Sequence, residues 1–165
     1  MNALIIYDSV FGNTRTIAEV LASLALEYFP SKHLPVNEVG PDELQTVKLL
    51  LMGSPTQNYQ PTPRIQAFLE NIPQGMVQGV IAAAFDTRYR VSHWSSGTAA
   101  WAIAQGLQNA GAVLALPPES FFVSRAAGPL EEGEMERATQ WARVLCAKAL
   151  AMALEGEHLC FHRRF

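Results

Sequence analysis

Five short apolar runs, set apart by segments of helical periodicity, constrain this chain more than any other feature. They cover Ala3 to Tyr7, His33 to Val39, Val47 to Gly53, Gly79 to Phe85, and Ala112 to Val123, the last broken by Pro117-Pro118. Runs of this length bounded by glycine, proline and polar turns predict strands, and near-continuous apolarity marks strands covered on both faces. Between them, apolar residues recur at the spacing of one helical stripe. The first such segment presents Ile17, Ala18, Leu21, Leu24, Ala25 and Tyr28. A second, from about Pro63 to Ile72, presents Ile65, Phe68, Leu69 and Ile72. A third turns Ala99, Ala100, Ile103, Leu107 and Ala110 inward and ends at Gly111, a glycine suited to a left-handed cap. The last carries Met135, Ala138, Ala142, Leu145, Ala149 and Met152, whereas Pro41 to Gln45 offers little more than one turn.

Strands alternating with helices of this length imply βαβ units with right-handed crossovers, and hence a doubly wound α/β class with a parallel sheet. Of the two common strand orders, the five-stranded order 2-1-3-4-5 puts the second run at an edge. Pro35 fits there, because a proline in a central strand leaves a gap in the ladder. The ligand crevice of such a sheet opens at the carboxyl ends of strands 1, 3 and 4, where the order reverses. Three loops therefore matter most: Asp8 to Thr14, Ser54 to Thr62, and Asp86 to Gly97.

At 165 residues the chain has the length of one domain, expected over residues 1–155 with a tail at 156–165. The formal net charge of -3 is too close to neutral to argue for nucleic acid or an anionic membrane surface, and a small ligand is the expected guest. The start Met-Asn-Ala-Leu-Ile-Ile lacks the basic region and cleavage site of a signal peptide, and no apolar stretch approaches the ~20 residues of a membrane span. A soluble cytoplasmic protein is expected. Cys146 and Cys160 belong to no metal or redox spacing and are read as reduced thiols. The His158-x-Cys160-x-His162 spacing falls short of a zinc site, so no metal is expected. The tail is expected to be exposed, or to dock against a partner subunit in a homodimer.

In the first loop an apolar run breaks into small polar residues and one glycine before a helix begins. Backbone N–H groups at such a helix start converge on one spot where the dipole favours negative charge. With one glycine the loop is neither the G-x-x-x-x-G-K-[ST] triphosphate loop nor the G-x-G-x-x-G dinucleotide turn. Ser9, Asn13 and Thr14 remain as side-chain donors, with N–H groups from Val10 to Thr14 to wrap an anion. Without a lysine, a monoester phosphate suits the cradle better than a triphosphate. A receiver domain is excluded by the single Asp8 and by Ser54 where it needs an aspartate, and a low-molecular-weight phosphatase by the missing loop cysteine.

The stretch Ile5-Ile6-Tyr7-Asp8-Ser9-Val10-Phe11-Gly12-Asn13-Thr14, followed by Ala18 and Leu21, resembles the FMN phosphate loop of flavodoxins and flavodoxin-like proteins, with Val10 at a position where valine is unusual. The resemblance extends through Gly53-Ser54-Pro55-Thr56 and Phe85-Asp86-Thr87-Arg88, so it covers nearly the whole domain. It implies a flavodoxin-like three-layer sandwich holding one non-covalent FMN. The phosphate would rest on Ser9, Val10, Phe11, Gly12, Asn13 and Thr14, and the ribityl chain near Pro55 and Thr56. The ring would lie between the second and third loops, against Ser54, Gln57, Asn58 and Tyr59 on one side and Phe85, Asp86, Thr87, Arg88 and Tyr89 on the other.

Tyr59 and Tyr89 are the favoured aromatic walls, while Trp94 reads equally as a flavin contact or a surface aromatic. Trp101 and Trp141 read as packing residues on their helices. Arg88 and Arg90, with His93 nearby, outnumber Asp86. Either they hold positive charge near the flavin, making it less strongly reducing than in small acidic carriers, or they pair with Asp86 and surface carboxylates. Glu131, Glu132, Glu134 and Glu136 begin the last helix, where carboxylates complement the dipole. The resemblance implies a carrier of one or two electrons between redox partner proteins, with no catalytic side chain. Two alternatives stay open: an NAD(P)H-dependent FMN or quinone reductase, its arginines receiving nicotinamide-cofactor phosphates, and a binding module that keeps the fold without redox chemistry.

Overall fold

The computed structural model describes residues 1–90 and 97–162, with side chains as far as residue 156. In chain order the elements are β1 (Ala3–Tyr7), α1 (Asn13–Ala25), β2 (Ser31–Pro35), α2 (Pro41–Gln45), β3 (Leu49–Pro55), α3 (Pro63–Glu70), β4 (Ile81–Arg88), α4 (Ala99–Asn109), β5 (Val113–Leu114), β6 (Glu119–Phe122) and α5 (Glu134–His162). The sheet runs β2-β1-β3-β4-β5, with β6 also paired to β4, and every pairing is parallel. The predicted fifth strand is thus present as two pieces on one neighbour, parted where Pro117 and Pro118 withhold their ladder donors.

Alternate residues of the central strands feed two separate cores. Ile5, Leu51, Ala83 and Phe85 pack with α1 and α5 on one side, and Leu4, Ile6, Leu50, Met52, Ala82 and Ala84 with α3 and α4 on the other. The result is a three-layer α/β sandwich, and burial on both faces accounts for the near-continuous apolar runs. No described helix is long and apolar enough to cross a membrane.

Several boundaries differ from those the apolar runs suggest. The second strand is Ser31–Pro35 instead of His33 to Val39, because Val36–Glu38 turns into one 3-10 turn with Val36 buried beneath it. An edge strand is only half covered, so hydrophobicity marks it poorly, and Pro35 ends it. The third and fourth strands run on through Ser54-Pro55 and Asp86-Thr87-Arg88. Ser54, Asp86 and Thr87 are buried ladder residues, so they do not belong to the loops in which their polarity would place them.

Three residues assigned to helical stripes lie on the surface. Tyr28 follows the end of α1 and is exposed, its place taken by the buried Phe29. Met135 is exposed at the start of α5, and Trp101 is 59% exposed on α4. Trp141 does pack inward, edge-on to Phe121 with ring centroids 6.0 Å apart. Helix α5 continues through the expected boundary at residue 155 to His162. The side chains of the His-x-Cys-x-His segment fall outside the described residues, while Cys146 is a buried free thiol whose pKa burial raises to about 11.

Candidate functional site

The carboxyl ends of β1, β3 and β4 are tied into one edge. The Asp8 N–H donates to the Gly53 carbonyl at 3.1 Å, the Thr56 N–H to the Thr87 carbonyl at 3.0 Å, and the Thr14 and Thr87 hydroxyls share a hydrogen bond of 2.7 Å. Over this edge lies a cleft of about 240 Å³ lined by Ser9, Val10, Phe11, Asn13 and Thr14, by Pro55, Thr56 and Gln57, by Thr87, Arg88 and Tyr89, and by Val123 and Ala126.

The helix starts around the cleft differ in how their N–H groups are used. On α4, Ala99 donates to Thr56 Oγ1 at 2.9 Å, Ala100 to Asp86 Oδ2 at 3.0 Å and Trp101 to Thr98 Oγ1 at 3.2 Å. Side chains thus satisfy the first N–H groups that the helix itself leaves open. On α1 the capping residue is Gly12, at φ 90, with no side-chain cap. The Gly12 N–H turns back onto Ser9 Oγ at 3.0 Å, but those of Val10, Phe11, Asn13 and Thr14 meet no acceptor among the described residues. Ser9 Oγ accepts that N–H, and a longer one from Arg15 at 3.4 Å, so its own proton is left to donate outward. The start of α1 thus offers four open backbone donors at the positive end of the helix dipole, in the loop where the sequence leads us to expect an anion.

Not every expected residue reaches the cleft. Phe85 is fully buried in the α1–α5 core, 6.3 Å from Phe121, and its ring fills the space a side chain at Gly53 would need. It is therefore a core residue, not a wall. Ser54 is buried with its hydroxyl accepting from the Thr62 N–H at 2.9 Å and donating to the Pro55 carbonyl. Asp86 is fully buried; it receives Thr56 Oγ1 at 2.9 Å as well as the Ala100 N–H, and Arg88 Nε stands 3.8 Å away. Burial pushes its carboxyl above the usual carboxylate range, against the opposing effect of these partners. Its position makes it the post on which α4 is hung.

Gln57 lines the cleft, but Asn58 and Tyr59 form the tip of a two-residue hairpin closed by paired Gln57 and Gln60 hydrogen bonds of 2.9 Å. Both tip residues have positive φ, 48 and 66, the pattern of a type I′ turn and an uncommon one for tyrosine. Tyr59 stands 52% exposed off the cleft wall, whereas Tyr89 lies on it. Trp94 and His93 fall outside the described residues.

The arginines are committed to carboxylates. Arg90 Nε binds Glu131 at 2.7 Å while its guanidinium covers the Phe122 ring at 4.0 Å, and Arg88 Nε bonds Ser120 Oγ at 3.0 Å beside Asp86. Ion pairing, not free positive charge over the cleft, is the reading the structure supports. Glu134 likewise exceeds its expected role: it is buried, accepts the Phe122 N–H at 2.7 Å and pairs with Arg137 at 2.7 Å. Arg137 also donates to the Ser120 carbonyl.

Val123 and Ala126 are cleft residues that sequence reasoning missed. They belong to the turn after β6, which closes through Ser124 N–H to the Pro129 carbonyl at 3.0 Å and presses Gly128 against the Asn13 side chain. The available signal was the fifth run ending at Val123, since the carboxyl end of every parallel strand opens on the same edge.

No protein-family model and no curated protein sequence matches the chain. Solved structures do. A flavodoxin from the domain Archaea superposes with a TM-score of 0.76 at 22% identity, covering 90% of this chain and 99% of that one. The fold is that of the flavodoxins. Flavodoxin 2 from Bacillus cereus gives a TM-score of 0.73 at 21% identity, again over 90% of this chain and 99% of its own. The rubredoxin oxygen:oxidoreductase of Desulfovibrio gigas matches over 92% of this chain, with a TM-score of 0.75 and 23% identity, but over only 37% of its own length. The flavodoxin fold therefore recurs both as a whole protein and as part of a larger one.

Proposed function

We infer that the protein binds one FMN non-covalently and carries one or two electrons between redox partner proteins. The observation that supports this most strongly is the set of four acceptor-less N–H groups at Val10, Phe11, Asn13 and Thr14, in a loop without lysine at the carboxyl edge of the sheet. Such a cradle fits a phosphate monoester: backbone donors and the Ser9 hydroxyl meet its oxygens, and the helix dipole offsets its charge.

The remaining residues have distinct tasks. The Thr14–Thr87 hydroxyl pair fixes the phosphate loop against β4, and Thr56, anchored by Asp86 and Ala99, gives the wall beside it a defined position. Val10, Phe11 and Tyr89 line the cleft and are exposed, which makes them the apolar surface that a flat ring would cover. When bound, FMN supplies reversible one- and two-electron chemistry, and the protein supplies position and electrostatics. The reductase alternative loses its supporting feature, because Arg88 and Arg90 are engaged with Asp86, Ser120 and Glu131.

Flavin binding is tested by titrating the purified protein with FMN and following fluorescence quenching and the band near ~450 nm. Stoichiometric binding is expected, weakened by substitution in the Ser9–Thr14 loop; no binding removes the reading. Anaerobic mixing of the FMN-loaded protein with NADPH or NADH separates relay from reductase. A carrier stays oxidised, and rapid bleaching favours the reductase.

A further inference from the structure

The ladder between β4 and β6 ends at the cleft, where the Val123 N–H donates to the Arg88 carbonyl at 3.0 Å. Beyond that link no backbone hydrogen bond joins the two segments among the described residues, yet Tyr89, the next residue of one, and Ala126, in the turn after the other, both line the cleft. Side chains take over from the ladder. Arg88 Nη1 donates to the Tyr89 carbonyl at 3.3 Å. On the other side of Tyr89 in the chain, Arg90 donates from Nε to Glu131 at 2.7 Å, stands 3.9 Å from Glu134 and sets its guanidinium 4.0 Å from the centre of the Phe122 ring. The anchor is itself fixed, since the Glu131 N–H donates to the Phe122 carbonyl at 2.8 Å and Glu134 accepts the Phe122 N–H. Arg90 does not line the cleft, and Glu131 offsets its charge.

We propose that Arg90 is a positioning residue of the flavin site: bound to Glu131 and Phe122, it holds Tyr89 in place on the cleft before the ligand arrives. This rests on the FMN reading and adds to it that the ring, as distinct from the phosphate, meets a wall ordered in advance. A surface ion pair alone contributes little. A planar guanidinium that bonds a carboxylate and covers an aromatic ring at once is oriented more firmly than either contact alone would make it. Ordering a free side chain on binding lowers affinity by about two- to twelvefold, a loss that the Arg90 clamp avoids. Because the clamp acts through Tyr89, its removal is felt equally by FMN and by riboflavin, which lacks the phosphate.

The test is titration of the full chain with FMN and with riboflavin, in the wild type and in Arg90→Ala, whose side chain is 61% exposed and so can be lost without unfolding the protein. Both flavins are expected to bind about fivefold more weakly, by the same factor, and FMN at saturation to stay more fluorescent than in the wild type, because Tyr89 no longer lies fixed against the ring. Glu131→Ala weakens binding less, since Phe122 and Glu134 remain to Arg90, and adding it to Arg90→Ala costs nothing further. Arg125→Ala removes an exposed positive charge from the turn after β6 and leaves both affinities within about twofold. A loss confined to FMN would make Arg90 a partner of the phosphate and overturn the proposal, as would an equal loss in Arg125→Ala, additive losses in the double variant, or unchanged affinity and fluorescence in Arg90→Ala. A wild type that binds neither flavin overturns the FMN reading itself.

Discussion

Glu134→Ala removes the carboxylate on which β6 and α5 both close, and two physical pictures assign it different magnitudes. A carboxylate that only complements the α5 dipole contributes about 0.3–1 kcal/mol. In the structure the Glu134 side chain is 4% exposed, holds the Phe122 N–H at 2.7 Å and pairs with Arg137 at 2.7 Å. Truncation leaves the N–H without its acceptor, a loss of about 1–3 kcal/mol, and breaking a buried pair from one side costs about 3–5 kcal/mol. Arg137 softens the second figure, because its side chain is 37% exposed and keeps Glu119 at 3.1 Å. The expected loss is therefore about 2–4 kcal/mol. For a chain of this length that corresponds to roughly 5–15 °C in Tm.

Urea unfolding measures the effect directly, with exposed Glu132→Ala and Glu136→Ala as controls expected within about 0.5 kcal/mol of wild type. Glu134→Gln retains an oxygen for Phe122 and loses about 1–2 kcal/mol. A Glu134→Ala protein that cannot be told from the controls would refute the reasoning, and with it the view that this contact braces the turn carrying Val123 and Ala126 onto the cleft.

Three further outcomes follow from the geometry. Gly53→Ala places a methyl 2.2 Å from Phe85 Cζ, so it destabilises by about 1–3 kcal/mol, and Phe85→Leu in the same chain recovers part of that loss; simple additivity in urea would contradict it. Thr14→Val removes the hydroxyl shared with Thr87 and weakens FMN about tenfold in a fluorescence titration, while a change in protein stability alone would show that the pair does not position the loop. Asp86 binds its proton more tightly folded than unfolded, so its contribution is largest below an unfolded pKa near ~3.9 and falls as pH rises through the higher folded value. The stability of Asp86→Asn relative to wild type should therefore increase above about pH 4, and a difference constant with pH would contradict this.

The layers of the fold were legible because burial on both faces writes itself as continuous apolarity, as in Ala3–Tyr7 and Leu49–Met52. Polarity misled where a buried polar residue serves the scaffold. Ser54 and Asp86 look like loop residues, yet they sit opposite one another in the β3–β4 ladder and their oxygens accept from the Thr62 N–H and from α4. Phe85 was expected beside the flavin, but its strand parity points it into the core beside Gly53. Glycine and hydroxyls were the readable part of the candidate site, since Gly12 at positive φ and Ser9 shape the loop through local geometry. Val123 and Ala126 were hidden because a long-range turn, held by Glu134 and pressed on Asn13, brings them there.

The central claim is that the Ser9–Thr14 loop holds the phosphate of FMN, and parallel titration with FMN and riboflavin tests it most directly. The account predicts stoichiometric binding of FMN, with riboflavin, which lacks the phosphate, bound at least about a hundredfold more weakly. Equal affinity for the two, or no flavin bound at all, would contradict it.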